Sequence, residues 1–183
     1  QLAQPNSQAP KALYQSLAKE RDFYGFMAAD QVQAPYQLNN KPLALSPQTV
    51  QKVRNSAAIR RALEFHARGQ VADGRREWYN VSRLFSRDEM VAQARLAYEM
   101  GWYFPAIRTI SQAQYWDDLD VRFPMAHRDQ LVREARNRDI HSSWVFAITR
   151  QESAFMADAK SHVGAMGLMQ LMPATAKETA KRF

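Results

Sequence analysis

A chain of 183 residues, 46% hydrophobic and 23% charged, is long and apolar enough for one or two packed domains and is far from a disordered composition. It has no cysteine, and its four histidines (His66, His127, His141, His162) form no paired-ligand motif, so disulfides are excluded and neither a metal nor a cofactor is expected. The net charge of +7 favours an anionic partner. Nucleic acid is not expected, since the basic runs "AIRRALEFHARG" and "LVREARNRD" interleave acids and no nucleic-acid motif accompanies them, and no stretch approaches the roughly 20 apolar residues of a membrane span.

The opening "QLAQPNSQAP" reads as a linker or a processed start, without the charged beginning and apolar centre of a signal peptide. From there nearly every periodic segment has the helical period, and the expected class is all-α. A helix is predicted from about Lys11 to Asp30 on the spacing of Leu13, Leu17 and Tyr24, followed by a Pro- and Asn-rich break. Ser46-Pro47 has the form of an N-cap with proline at the first helical position, opening a helix predicted to run to Gly69. A helix over Val71 to Leu84 follows. Ser86-Arg87-Asp88-Glu89 then fits a capping box, with Gly101 as the C-terminal stop.

Gly69 with Gly74, and Gly101 with Ala106, repeat one arrangement at an offset of 32 residues. In paired-helix repeats a glycine ends the first helix and a small residue admits the second, so residues 11 to about 135 are expected to be α-solenoid-like. Trp78, Tyr79, Trp102, Tyr103 and Trp116, at helical spacing, are read as core rather than as sugar-stacking platforms. Helices near Pro105–Gln114 and Pro124–Asn137 come next. The character changes at "NRDIHSS", where Ser142 or Ser143 is the expected cap of the following helix.

That helix poses the chemical question. Counting back from Glu152 gives Ile148, Val145 and Trp144, and counting forward gives Phe155, which puts a carboxylate on an apolar face. Burial disfavours the charged form, raises the pKa and suits a carboxyl group to general acid work. The alternative is a glutamate at a helix end that turns to water or pairs with Arg150 or Lys160, and on these residues alone it stays open. Downstream, Gly164 and Gly167 bracket a turn, Met156, Met166, Met169 and Met172 supply adaptable apolar surface, and Pro173 precedes a short C-terminal helix.

Taken together, "ESAF" at 152–155, Ser161, Gly164-Ala165 and "GLMQLMPATA" at 167–176 closely resemble the opening motifs of the soluble lytic transglycosylases, bacterial enzymes that cleave the glycan strands of peptidoglycan. "SWVFAITRQ" and the upstream helices resemble the same family. The resemblance implies a helical scaffold (1–46), a helical linker domain (47–138) and the N-terminal part of a lysozyme-like catalytic domain (139–183). It implies Glu152 as the single catalytic acid and base, with Ser161, Gln170 and Met172 lining the groove. It further implies peptidoglycan glycan strands as the partner and a periplasmic location. The family commonly has Asn-Pro after its equivalent of Phe155, where this chain has Met156-Ala157. Because a lysozyme-like domain needs about a hundred residues, the chain is expected to be a fragment. A hydrolytic lysozyme relative and a helical scaffold that binds peptidoglycan without activity are the rival readings.

Overall fold

Helix periodicity and capping chemistry together generate the architecture. The computed structural model describes residues 8–182, among which eleven helices occur: α1 (Gln8–Leu17), α2 (Phe23–Val32), α3 (Pro47–Asn55), α4 (Ala57–Ala67), α5 (Val71–Ser82), α6 (Arg87–Glu99), α7 (Tyr103–Gln112), α8 (Leu119–Arg122), α9 (Arg128–Asn137), α10 (Ser142–Ser153) and α11 (Pro173–Arg182). Beyond helices, two isolated antiparallel bridges join Lys160 to Met166 and Met166 to Leu171. The all-helical expectation therefore holds. The linker-like start up to residue 7 lies outside the described residues.

The chain divides into two units, one ending at Lys41 and one beginning at Pro42. In the first, the predicted single helix is two. Asp22 accepts a hydrogen bond from the Gly25 amide at 2.7 Å and caps α2, and the turn before it is so tight that a Cβ on Gly25 would sit 2.1 Å from the Glu20 carbonyl oxygen. The break dissolves the expected stripe: Leu13 and Tyr24 are exposed, and the core is made by Ala18, Ala28 and Ala29.

In the second unit, the helix expected to run unbroken to Gly69 is interrupted at Ser56, whose extended ψ of 125° separates α3 from α4. The Ser46 cap, the proline at the first turn and the Ser86–Glu89 capping box all form as expected. Gly69 and Gly101 both take left-handed backbone (φ +74° and +71°) just past α4 and α6, which suits residues without a Cβ. The repeat reading holds there, with α4 packed on α5 and α6 on α7. Gly74 lets α5 approach, since a Cβ there would meet the Ala62 carbonyl at 3.0 Å, and Ala106 is fully buried.

Trp78 and Trp102 are buried in the main core, their rings edge to face at 5.2 Å, and His66 stacks on Trp102 at 4.4 Å. Trp78 donates its indole N–H to the Thr109 hydroxyl at 2.9 Å, and Gln93, fully buried, donates to the Trp78 carbonyl. Trp116 departs from the core reading: it is 47% exposed, with the Arg122 guanidinium over its ring.

A second, smaller core gathers Ile107 of α7, Leu131 of α9 and Phe155 just past α10, with Val145 and Phe146 against it. It fastens the segment carrying Glu152 onto the helical pairs. The cap of α10 is His141, whose Nδ1 accepts from the Ser143 amide, rather than Ser142 or Ser143.

Candidate active site

The site is assembled at the C-terminal end of α10. Glu152 occupies its last turn, and the helix stops one residue later because Ala154 and Phe155 both adopt left-handed backbone (φ +48° and +63°). Two consecutive non-glycine residues in that region carry strain of order 1–2 kcal/mol each. Burial of Phe155 and the Ser153 hydroxyl, whose single proton is shared between the Leu168 carbonyl at 2.8 Å and the Thr149 carbonyl at 3.2 Å, hold the turn in place.

The sequence places Glu152 against apolar surface, and within this chain that burial is not found. Glu152 is exposed, as are Ile148 (45%) and Trp144 (68%) one and two turns before it, because no described element packs on that stripe. Only Phe155, with Val145 half-buried, turns into the core. Glu152 turns to water, as one arm of the alternative has it, and the other arm, pairing with Arg150 or Lys160, is absent among the described residues. Arg150 instead donates its Nε to the Arg122 carbonyl at 2.8 Å and is half-buried, and burial holds its guanidinium below the usual range.

The other expected groove residues lie in the compact loop between α10 and α11. Ser161 closes a turn, its hydroxyl and backbone amide facing Ala165: the hydroxyl oxygen accepts from the Ala165 amide at 2.9 Å, and the Ser161 amide donates back to the Ala165 carbonyl. Gln170, at φ +48°, donates its side-chain amide to the Gly167 carbonyl (2.9 Å) and the Ala159 carbonyl (3.3 Å). Met172 is 42% exposed at the start of α11. Ser161 and Gln170 thus brace the loop itself, and Ser153 ties that loop to the helix end bearing Glu152.

Asp158, the nearest other acid, is engaged elsewhere. It forms a two-pronged ion pair with Arg75 of α5 at 2.6 and 3.0 Å, and that hydrogen bonding holds its carboxyl below the usual carboxylate range. Glu152 is left as the one carboxylate of the 150–172 segment without an ion-pair partner among the described residues. Sequence reading missed the structural parts of Ser153 and Arg75. The "ES" pair offered a signal for the first; nothing short of the fold announces a contact 83 residues away.

Comparison with known proteins agrees with this arrangement. Residues 52–119 match the family described as the soluble lytic murein transglycosylase L domain, and residues 130–183 match the transglycosylase SLT domain. The chain is 34% identical over 174 residues to the soluble lytic murein transglycosylase of Salmonella typhimurium, an alignment covering 94% of this chain and 26% of that protein. Among solved structures, it superposes on an inactive glutamate-to-glutamine mutant of the lytic transglycosylase Slt from Pseudomonas aeruginosa with a TM-score of 0.93 and 69% identity, covering 100% of this chain and 30% of the other. It superposes on the 70-kDa soluble lytic transglycosylase of Escherichia coli with a TM-score of 0.83 and 34% identity, covering 94% and 28%; a complex of the 70-kDa enzyme with bulgecin A aligns equally well. The chain therefore spans between about a quarter and a third of the length of these relatives. With L-domain helices leading into the start of an SLT domain, it belongs to the soluble lytic transglycosylase family.

Proposed function

We propose that the protein containing this chain is a peptidoglycan lytic transglycosylase, acting in the periplasm on the bond between N-acetylmuramic acid and N-acetylglucosamine, with Glu152 as its acid and base. Residues 47–138 serve as the linker domain, and 139–183 begin the catalytic domain. The observation that carries the reading is Glu152 itself: a carboxylate with no partner among the described residues, on the last turn of a helix whose end is pinned by Phe155 and Ser153. The Pseudomonas relative, inactive as a glutamate-to-glutamine mutant, supports a glutamate in that part.

The chemistry needs only one carboxyl group. Most glycosidases use two, one to protonate the leaving oxygen and one to assist at the anomeric carbon. Here Glu152 gives its proton to the glycosidic oxygen as the C1–O bond breaks, and the substrate's own N-acetyl group stabilises the cationic centre. Glu152 then takes the proton of the C6 hydroxyl of the same sugar as that oxygen closes on C1. Because the nucleophile is intramolecular, its high effective molarity replaces the positioning of a water. Ser161, Gln170 and Met172 line the groove in which the strand lies. No metal or cofactor enters.

Digestion of purified sacculi by the full-length protein tests this. The expected products end in 1,6-anhydro sugars, lighter by one water than hydrolysed ends in the mass spectrum. Glu152→Gln should lower the rate by about a hundredfold to ten-thousandfold with the fold retained. Hydrated reducing ends would identify a lysozyme instead, and sacculi bound without release of fragments would identify a scaffold.

A further inference from the structure

Beside the segment that follows Glu152 lies a cleft of ≈ 630 Å³ whose walls are α5, α7 and Met156. Four arginines line it: Arg75, Arg76 and Arg83 from α5 and its C-cap, and Arg108 from α7. Arg76 and Arg83 are seven apart, two turns along one helix face, with Tyr79 between them. Carboxylates answer only part of this charge. Arg75 is paired with Asp158 and Arg76 with Asp73 (2.8 Å), whereas Arg83 and Arg108 have no acidic partner among the described residues.

Arg108 is also held in place. Its guanidinium lies over the Tyr79 ring, 4.3 Å from the centroid, a cation–π contact that restricts a long side chain without neutralising it. The Tyr79 hydroxyl beneath is buried and meets no hydrogen-bond partner among the described residues. Burial pushes its pKa up to about 12 against the pull of Arg108 and Arg75, so it keeps its proton. The chain's net positive charge of +7, spread thinly elsewhere, is here concentrated in a concave site.

We propose that this cleft binds the free carboxylates of the peptide stems carried by N-acetylmuramic acid. The ligand's identity rests on the peptidoglycan reading above, and the site deepens that reading by separating stem recognition from glycan cleavage. Guanidinium groups recognise carboxylates through paired N–H donors, which a stem bearing two or more free carboxylates matches at Arg83 and Arg108. Phe104 and Met156 supply apolar wall for its aliphatic parts. Met156 stands four residues past Glu152, so the wall of this cleft and the candidate acid belong to one short segment of chain.

Calorimetric titration of the full-length protein with the free tripeptide L-Ala-γ-D-Glu-meso-diaminopimelate provides the test. The peptide should bind, and Arg83→Gln with Arg108→Gln should weaken it by about tenfold or more, as loss of charged hydrogen bonds predicts. The tripeptide with its carboxylates amidated should weaken to the same degree, and Arg108→Lys, which keeps the charge but not the fork, should fall between. An unchanged melting temperature separates lost binding from lost fold, and in the variant the KM advantage of stem-bearing over stem-free strands should shrink. Equal affinity for wild type and double variant would overturn the site; so would equal affinity for the free and amidated peptides, or full competition by millimolar inorganic phosphate. Because peptide binding is measured without cleavage, a protein that binds the stem but cuts no glycan would refute the transglycosylase reading while leaving the cleft's affinity standing.

Discussion

At the scale of single residues, the second unit is held by a few positions with no room to change. Gly74→Ala would place a Cβ 3.0 Å from the Ala62 carbonyl and 3.3 Å from Trp102, so α5 must shift. Helix propensity favours alanine by about 1 kcal/mol, but overpacking costs about 1–3 kcal/mol, and a net loss of stability is expected in urea titration. Thr109→Val keeps the volume and leaves the buried indole N–H of Trp78 unpaired, which should cost about 1–3 kcal/mol by the same measurement. The sequence announced some of these positions. Glycines at a fixed offset and buried tryptophans are legible because backbone freedom and aromatic size have few other uses. Thr109 and Gln93 were not, because a polar residue's burial depends on a partner supplied by another helix.

Among the elements, caps were legible and interruptions were not. Ser46-Pro47 and Ser86–Glu89 are local chemistry, read correctly from two and four residues. The breaks at 18–22 and at Ser56 arise where the chain must turn to pack, and a helical period continues through both sequences. The candidate site shows the same division. Its loop motif could be read along the chain, whereas its anchorage rests on Arg75, 83 residues from Asp158. Asp158 has its pKa depressed in the folded protein by the hydrogen bond from Arg75, so the pair's contribution is complete above the unfolded carboxylate pKa and is lost as pH falls through the lower, folded value. With Asp158 more than half exposed, screening limits that contribution to about 0–1 kcal/mol. Amide chemical shifts of residues 156–172 should move below about pH 4 in the wild type, and Asp158→Asn should show the shifted pattern already at neutral pH. The Arg95–Asp118 pair beneath α8 is different in kind: Asp118 is buried, and it also caps that short helix. Asp118→Ala leaves Arg95 without its counter-ion and should cost about 3–5 kcal/mol, read as a fall in the denaturation midpoint.

On the scale of the whole molecule, protection from amide exchange should be graded. The helices α4 to α7 surround the main core and should exchange slowest. Residues 153–159, tied by Phe155, Ser153 and Asp158, should be intermediate, and α11, which has no buried residue, should exchange fastest. Uniformly slow exchange across 42–182 would contradict this grading. The packing of His66 face to face on Trp102, inclined by only 17°, has an optical consequence. Burial lowers the His66 pKa, so the ring is neutral at pH 7 and gains its proton only below the usual histidine range. An imidazolium at stacking distance accepts an electron from an excited indole, which a neutral ring does poorly. Fluorescence should therefore dim on acidification through that range in the intact chain, and His66→Phe should abolish the step, making the seam where α4, α5 and α7 meet visible without any added label.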